Sequence, residues 1–239
     1  MVQCKYVEAE LLLRRASEVY KKAYGEDHPK FAIGLNNLAA LLWAQGKHAE
    51  AELLLRRALE INERALGPEH PDTALDLNNL AFLLNSQGKH ADAEPLYRRA
   101  LGIRELHLGP GHPDTANSLN NLAELLRAQR RHDEAEPLFR RALEIDEKVY
   151  GEGHPDVATD LNNLAVLLRT QGRHGEAEPL LRRALEIDKK AYGEDHPEVA
   201  TDAENLAILL RETNRADEAA PLLERAKAIR AKYETKGEQ

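Results

Sequence analysis

The chain has 239 residues, 42% of them hydrophobic and 31% charged, and a formal net charge of −8. Mild acidity with both signs interleaved excludes the dominant basic surface that a non-specific grip on DNA or RNA requires. One cysteine, Cys4, excludes an intramolecular disulfide, and no apolar run approaches the roughly 18 residues of a membrane span or forms a signal-peptide core, so a soluble, cytoplasmic protein is expected.

Order along the chain is periodic. His-Pro stands at His28-Pro29, His70-Pro71, His112-Pro113, His154-Pro155 and His196-Pro197, always 42 residues apart. Leu35-Asn36-Asn37-Leu38-Ala39 recurs from Leu77, Leu119 and Leu161, and the last copy reads Ala203-Glu204-Asn205-Leu206-Ala207. A fixed period of this size means one supersecondary unit stacked on itself, because a single unit cannot bury its own apolar face.

The first element, residues 3–24, aligns with only the second half of a unit: Glu8-Ala9-Glu10 and Arg14-Arg15 match Glu50-Ala51-Glu52 and Arg56-Arg57. Met1 sits where a preceding helix should end, so Val7, Leu11 and Leu12 are expected to lack their cover. Full units follow at 29–67, 71–109, 113–151, 155–193 and 197–234, with a flexible tail expected at 235–239. In the unit from Pro71, proline opens a helix whose Ala74, Leu77, Leu80, Ala81 and Leu84 recur at helical spacing, and Gly88 ends it. A second helix from about Ala91 places Ala93, Tyr97, Ala100, Leu101 and Ile103 on one face, and Gly109 caps it. Prolines 95, 137, 179 and 221 fall near its start, where each costs at most one hydrogen bond. Alanines 39, 81, 123, 165 and 207 face alanines 51, 93, 135, 177 and 219 across the hairpin and predict close helix contact. Glu-to-Arg pairs four residues apart, such as Glu52–Arg56 and Glu94–Arg98, read as local helix support. Arg130 and Asn214 occupy the turn position of Gly46, Gly88 and Gly172, and Asn tolerates left-handed backbone better than Arg does. At the far end, Lys227, Lys232, Glu234 and Lys236 predict a polar terminal cap.

Leu77, Leu80-Ala81, Leu84, Gly88, Ala93, Tyr97 and Ala100 match, in spacing, the tetratricopeptide-repeat pattern. The chain resembles the longer, kinesin-light-chain-like variety over about residues 3–233, departing at Leu77, where an aromatic is more usual, and in lacking a heptad coiled coil. The resemblance implies an all-α solenoid, a right-handed superhelix of about five and a half antiparallel helix-turn-helix units. It also implies a concave groove lined by the first helices, which in such proteins captures peptides, including acidic motifs containing tryptophan.

Independently, a helical wheel leaves an arc of the first helix, at positions 75, 78, 79, 82, 85 and 86, uncommitted to the core. Leu83 and its equivalents point instead toward the neighbouring unit. One column of the free arc reads Asn36, Asn78, Asn120, Asn162 and Glu204; another reads Ala40, Phe82, Glu124, Val166 and Ile208; a third reads Trp43, Asn85, Arg127, Arg169 and Arg211. Packed helices lie about 8–10 Å apart and an extended strand rises about 3.3 Å per residue, so one unit spans roughly three peptide residues. Asparagine offers a donor and an acceptor to a peptide backbone, and the arginine row favours a carboxylate-bearing partner. The candidate peptide-binding residues are therefore Asn36, Trp43, Asn78, Phe82, Asn120, Arg127, Asn162, Arg169 and Arg211. Competing structural readings stand beside this one: the Asn78 column also fits bonding between units, the Asn79 column fits it better, and the arginines fit a solvated face.

Catalysis is not expected. Serines are confined to Ser17, Ser86 and Ser118, and no glycine-rich phosphate loop or zinc motif occurs. The repeated histidines lie too far apart to share a metal, and His-Pro reads as a helix-start signal. No cofactor, metal, nucleic acid or membrane is expected as a partner. The expectation is a scaffold or adaptor for an extended, acidic-leaning peptide. The alternative is a self-assembling array, or part of a longer one, whose contacts are homotypic through the initial half unit.

Overall fold

A computed structural model describes residues 2–237, with the side chains of 6–233. Met1, the Cys4 thiol, and the side chains of Glu234 and Lys236 lie outside the described residues. Eleven α-helices are present among the described residues: α1 (Val2–Tyr24), α2 (Pro29–Ala44), α3 (His48–Ala65), α4 (Pro71–Ser86), α5 (His90–His107), α6 (Pro113–Ala128), α7 (His132–Tyr150), α8 (Pro155–Thr170), α9 (His174–Tyr192), α10 (Pro197–Glu212) and α11 (Ala216–Gly237). The fold is the all-α solenoid class of repeating helical hairpins. In α3, α5, α7 and α9 the second helix starts at a histidine just ahead of the expected Ala91 position, whereas α11 starts at Ala216 and continues to Gly237, into the expected tail. The chain divides into two compact units, one ending at Leu125 and the other starting at Leu126.

In the first unit α2 packs on α3 and α4 on α5, while α1 packs on α2 and α3 on α4. In the second unit α8 packs on α9 and α10 on α11, with α7 against α8 and α9 against α10. Alanines 39, 81, 165 and 207 and their partners 51, 93, 177 and 219 are all buried, and so are Ala123 and Ala135. A methyl group there lets the two backbones approach, and anything larger would overpack the seam by about 1–3 kcal/mol. Leu83, Leu125, Leu167 and Leu209 are buried as well, as expected of leucines facing the neighbouring repeat, whereas Leu41 of the same column is only half-buried. Core clusters then bridge hairpins: Ala74, Leu77, Ala100 and Ile103 collect Leu59 from α3, and Val157, Ala158, Leu161, Ala184 and Ile187 collect Leu143 from α7.

Each first helix begins the same way. The Nδ1 of His28, His70, His112, His154 and His196 accepts the backbone N–H two residues on, at 3.1–3.3 Å. Proline follows at the first helical position, where its missing donor is harmless. An imidazole acting as acceptor at Nδ1 must be neutral there, so each cap fails on protonation. Three caps also carry a stacked tyrosine: Tyr24 on His28, Tyr150 on His154 and Tyr192 on His196. His70 has no such stack among the described residues, which isolates the cap. His70→Ala is expected to lower stability by about 1 kcal/mol and His70→Asn, which restores an acceptor, by much less, as read by urea unfolding.

The turn inside each hairpin uses left-handed backbone. Gly46, Gly88 and Gly172 have φ of 76°, 74° and 75°, and Arg130 and Asn214 adopt the same conformation at 61° and 60°. The hydrogen bonds hold as well: the Arg131 N–H reaches the Leu126 carbonyl at 2.9 Å, as the Lys47 N–H reaches Leu42 at 2.8 Å. Arg130 therefore bears the strain of an unfavourable φ, worth about 1–2 kcal/mol. Arg130→Gly should raise the unfolding free energy by about 1 kcal/mol in denaturant melts, and Asn214→Gly by less.

Candidate functional site

Asparagines of the first helices split into two roles. Asn36 Nδ2 donates to Asp76 Oδ1 at 2.5 Å, and Asn162 Nδ2 makes the equivalent bond to Asp202 Oδ1. Both acceptors are buried carboxylates on the following first helix. Asn78 Oδ1 accepts from Asn121 Nδ2 at 3.0 Å, and Asn162 Oδ1 from Asn205 Nδ2 at 3.3 Å. The amides of Asn36, Asn78 and Asn162 are thus engaged between repeats, and Asn120 is half-buried in the same column. This pairing depends on aspartates 40 residues downstream of each asparagine, a relation too distant for a helical wheel to show.

In the first unit the free arc opens into a groove of about 450 Å³ between α2 and α4. Its walls are Ile33, Ala40 and Trp43 from α2 and Leu75 and Phe82 from α4, with Asn37 and Asn79 as its polar side chains beside Asn36. Ile33 is 53% exposed, Leu75 46%, Phe82 45% and Trp43 38%, although all are large and apolar. The Trp43 and Phe82 rings meet edge to face at 5.2 Å and 67°. Trp43 Nε1 donates to Ser86 Oγ at 3.3 Å, and that hydroxyl donates to the Leu83 carbonyl at 2.7 Å. The indole is held in place while its face stays open. Asn37 and Asn79 make no side-chain hydrogen bond among the described residues, so here the column assigned to structure lines the groove. Ile33 and Leu75, which complete the apolar rim, are absent from the sequence-derived set. Their signal was available, since Ile33 and Leu75 share one repeat column.

The second unit presents a different surface. Arg169 Nη1 pairs with Glu212 Oε1 at 2.6 Å, and His174 Nε2 lies 3.6 Å from the other oxygen of that carboxylate. Arg211 is exposed and lines a shallow depression with Ile208 and Glu212. Arg127 is half-buried. Glu204, which ends the asparagine column, is bound by Arg230 at 2.6 Å, and that hydrogen bond holds its carboxyl below the usual range. Of the arginine row, Arg169 is already partnered by a carboxylate, and Arg211 remains open to solvent.

Away from that arc, Glu10, Glu52, Glu136 and Glu178 of the expected local pairs are each gripped twice. Glu52 bonds Arg56 at 2.8 Å and also Lys89 of the next hairpin at 2.8 Å; Glu178 bonds Arg182 at 2.7 Å and Arg215 at 2.8 Å. Lys47 acts likewise on Glu10, and with Arg14 it lowers that carboxyl to about 2. These pairs link hairpins as well as turns of one helix. Among the described residues no cluster of metal-ligating side chains occurs, and no helix is long and apolar enough to cross a membrane.

The tetratricopeptide-repeat profile matches at residues 1–63, 30–106, 75–148, 114–190 and 161–232. Among solved structures the chain is similar to BtubC (BKLC) from P. vanneervenii, at 26% identity and a TM-score of 0.81, covering 96% of this chain and 92% of that one. It is also similar to a kinesin-light-chain-like protein of Podosopora anserina built of nearly identical TPR-like repeats, at 27% identity and a TM-score of 0.72, covering 86% and 98%. PilF of Pseudomonas aeruginosa, at 22% identity and a TM-score of 0.60 over 82% and 76%, shares the fold. No curated protein sequence matches the chain. With five overlapping matches spanning its length, the chain belongs to the tetratricopeptide-repeat family, in its kinesin-light-chain-like form.

Proposed function

We propose that the protein is a non-catalytic, cytoplasmic scaffold that captures an extended peptide along the exposed arc of its first helices. Tetratricopeptide repeats are a scaffold fold that generally mediates contacts between proteins. The observation that carries the finer reading is the groove of the first unit, where Trp43, Phe82, Ile33 and Leu75 expose apolar surface around the amides of Asn37 and Asn79. Concave apolar surface with a few convergent polar groups is what small binding sites look like. A bulky apolar side chain of the peptide fills the space beside the Trp43–Phe82 edge, and the two amides hydrogen-bond its backbone. In the second unit, the exposed guanidinium of Arg211 is available to a carboxylate, so acidic residues are tolerated there.

Trp43 is the sole tryptophan, so its emission reports on the groove directly. Titration with synthetic peptides bearing one Leu, Phe or Trp in a polar background should shift that emission. Phe82→Ala should weaken the best of them about tenfold, roughly 1.4 kcal/mol, while changing stability by less. Unchanged emission across the peptide set, or equal affinity in the Phe82 variant, rejects this site.

A second reading, homotypic assembly, draws on α1. Val7, Leu11, Leu12 and Val19 are 57–67% exposed, and an apolar stripe of that kind marks an interface. If copies dock through it, sedimentation should show a concentration-dependent dimer that Leu11→Glu abolishes; a wild-type monomer at high concentration removes this reading.

A further inference from the structure

Where one hairpin meets the next, a polar residue near the end of the second helix faces one on the following first helix. Four such pairs occur: Asn62 with Asp76, Arg104 with Ser118, Asp146 with Asp160, and Asp188 with Asp202. All eight side chains are buried. In the first pair the chemistry closes. Asn62 Nδ2 donates to Asp76 Oδ2 at 2.7 Å, and Asn36 Nδ2 donates to Oδ1 at 2.5 Å.

The same three positions recur three repeats later as Asn162, Asp188 and Asp202. Asn162 Nδ2 again donates to Asp202 Oδ1. At 188, however, a carboxyl group replaces the amide. Asp188 Oδ1 and Asp202 Oδ2 are both buried without a hydrogen-bond donor among the described residues, although the two carboxyls face each other at bonding range. Two buried carboxylates with no donor between them cannot both ionise without a large cost.

We propose that Asp188 and Asp202 hold one shared proton in the folded protein, which closes a hydrogen bond between Asp188 Oδ1 and Asp202 Oδ2 in the place of the Asn62 amide's bond to Asp76. The joint between α9 and α10 is then closed by a proton and loosened when the proton leaves. Asp146 and Asp160 place the same two residue types at the joint between α7 and α8.

The surroundings agree. Burial pushes Asp188 up to about 6, and the Glu198 carboxylate on α10 adds to it; the α10 cap residue His196 pulls the other way. Burial pushes Asp202 up to about 7 against the Asn162 bond from α8, with Asp188 and Glu198 adding to the rise. Tyr192 on α9 is raised first by burial and then by the same acidic surroundings, Asp188, Asp156 and Glu198. The sign follows from linkage. The folded state holds a proton that an unfolded aspartate, at about 3.9, releases, so the pair's support is complete below about pH 4 and declines as pH rises to about 7. Other titrating groups add to the wild-type pH dependence, so it does not isolate the pair by itself.

Asp188→Asn does isolate it, by installing the donor found at Asn62. Thermal unfolding of wild type and Asp188→Asn should agree at about pH 5, whereas at about pH 8.5 the variant should melt about 2–4 °C higher. In wild type, a carbon-13 titration of aspartate carboxyls should show at least one pair changing near neutral pH. Parallel melting of both proteins across the range overturns the proposal, as does titration of every aspartate below about pH 5. The carbon titration decides the matter alone if the variant fails to fold.

Discussion

Close approach of the two helices in each hairpin is the constraint on which the remaining structure depends. Alanine columns on both sides of the seam set that approach, and their burial is uniform along the chain. Once the seam is fixed, the helical period assigns every other position. The leucines of the Leu83 column must turn toward the next hairpin, and the residual arc of the first helix must face outward. That arc is free to vary because nothing in the seam or the joint rests on it.

The joints between hairpins impose a second demand, which is polar. A helix pair brought together by small residues still buries side chains at its far edges, and buried polar groups need partners. The chain meets this demand with different chemistry at each joint: an amide on a carboxylate at Asn62–Asp76, a guanidinium donating to the Ser118 hydroxyl at Arg104, and facing carboxyls at the later joints. The first-helix asparagines serve the same purpose from the other side. Asn36 and Asn162 occupy their donors on Asp76 and Asp202, so at these two joints the column is committed to contact between repeats. Ion pairs follow suit, with Glu10, Glu52, Glu136 and Glu178 each shared between its own helix and the next hairpin. Adhesion between repeats is therefore distributed over apolar, amide and ionic contacts, as a stack with only neighbour contacts requires.

Against that background the first-unit groove stands apart. Burying Trp43, Phe82, Ile33 and Leu75 would be favourable, yet they line open surface while smaller residues fill the seam beneath. The second unit carries charge on the corresponding arc, with Arg169 paired to Glu212 and Glu204 bound by Arg230. A common scaffold thus displays two chemically distinct surfaces, one suited to apolar side chains and the other to polar ones.

The sequence by itself determined the hairpins, their caps, their turn glycines and the buried alanine and leucine columns. Those features depend on local conformation and on a helical period that the 42-residue repeat displays five times over. It also located Trp43 and Phe82 on the outward arc, since angular position on one helix is a local property. Tertiary structure alone decided which asparagines are occupied, which arginine is neutralised, and that Asp188 meets Asp202. Each of these turns on contact between residues of different helices, whose distances come from packing, and no spacing along one helix encodes it.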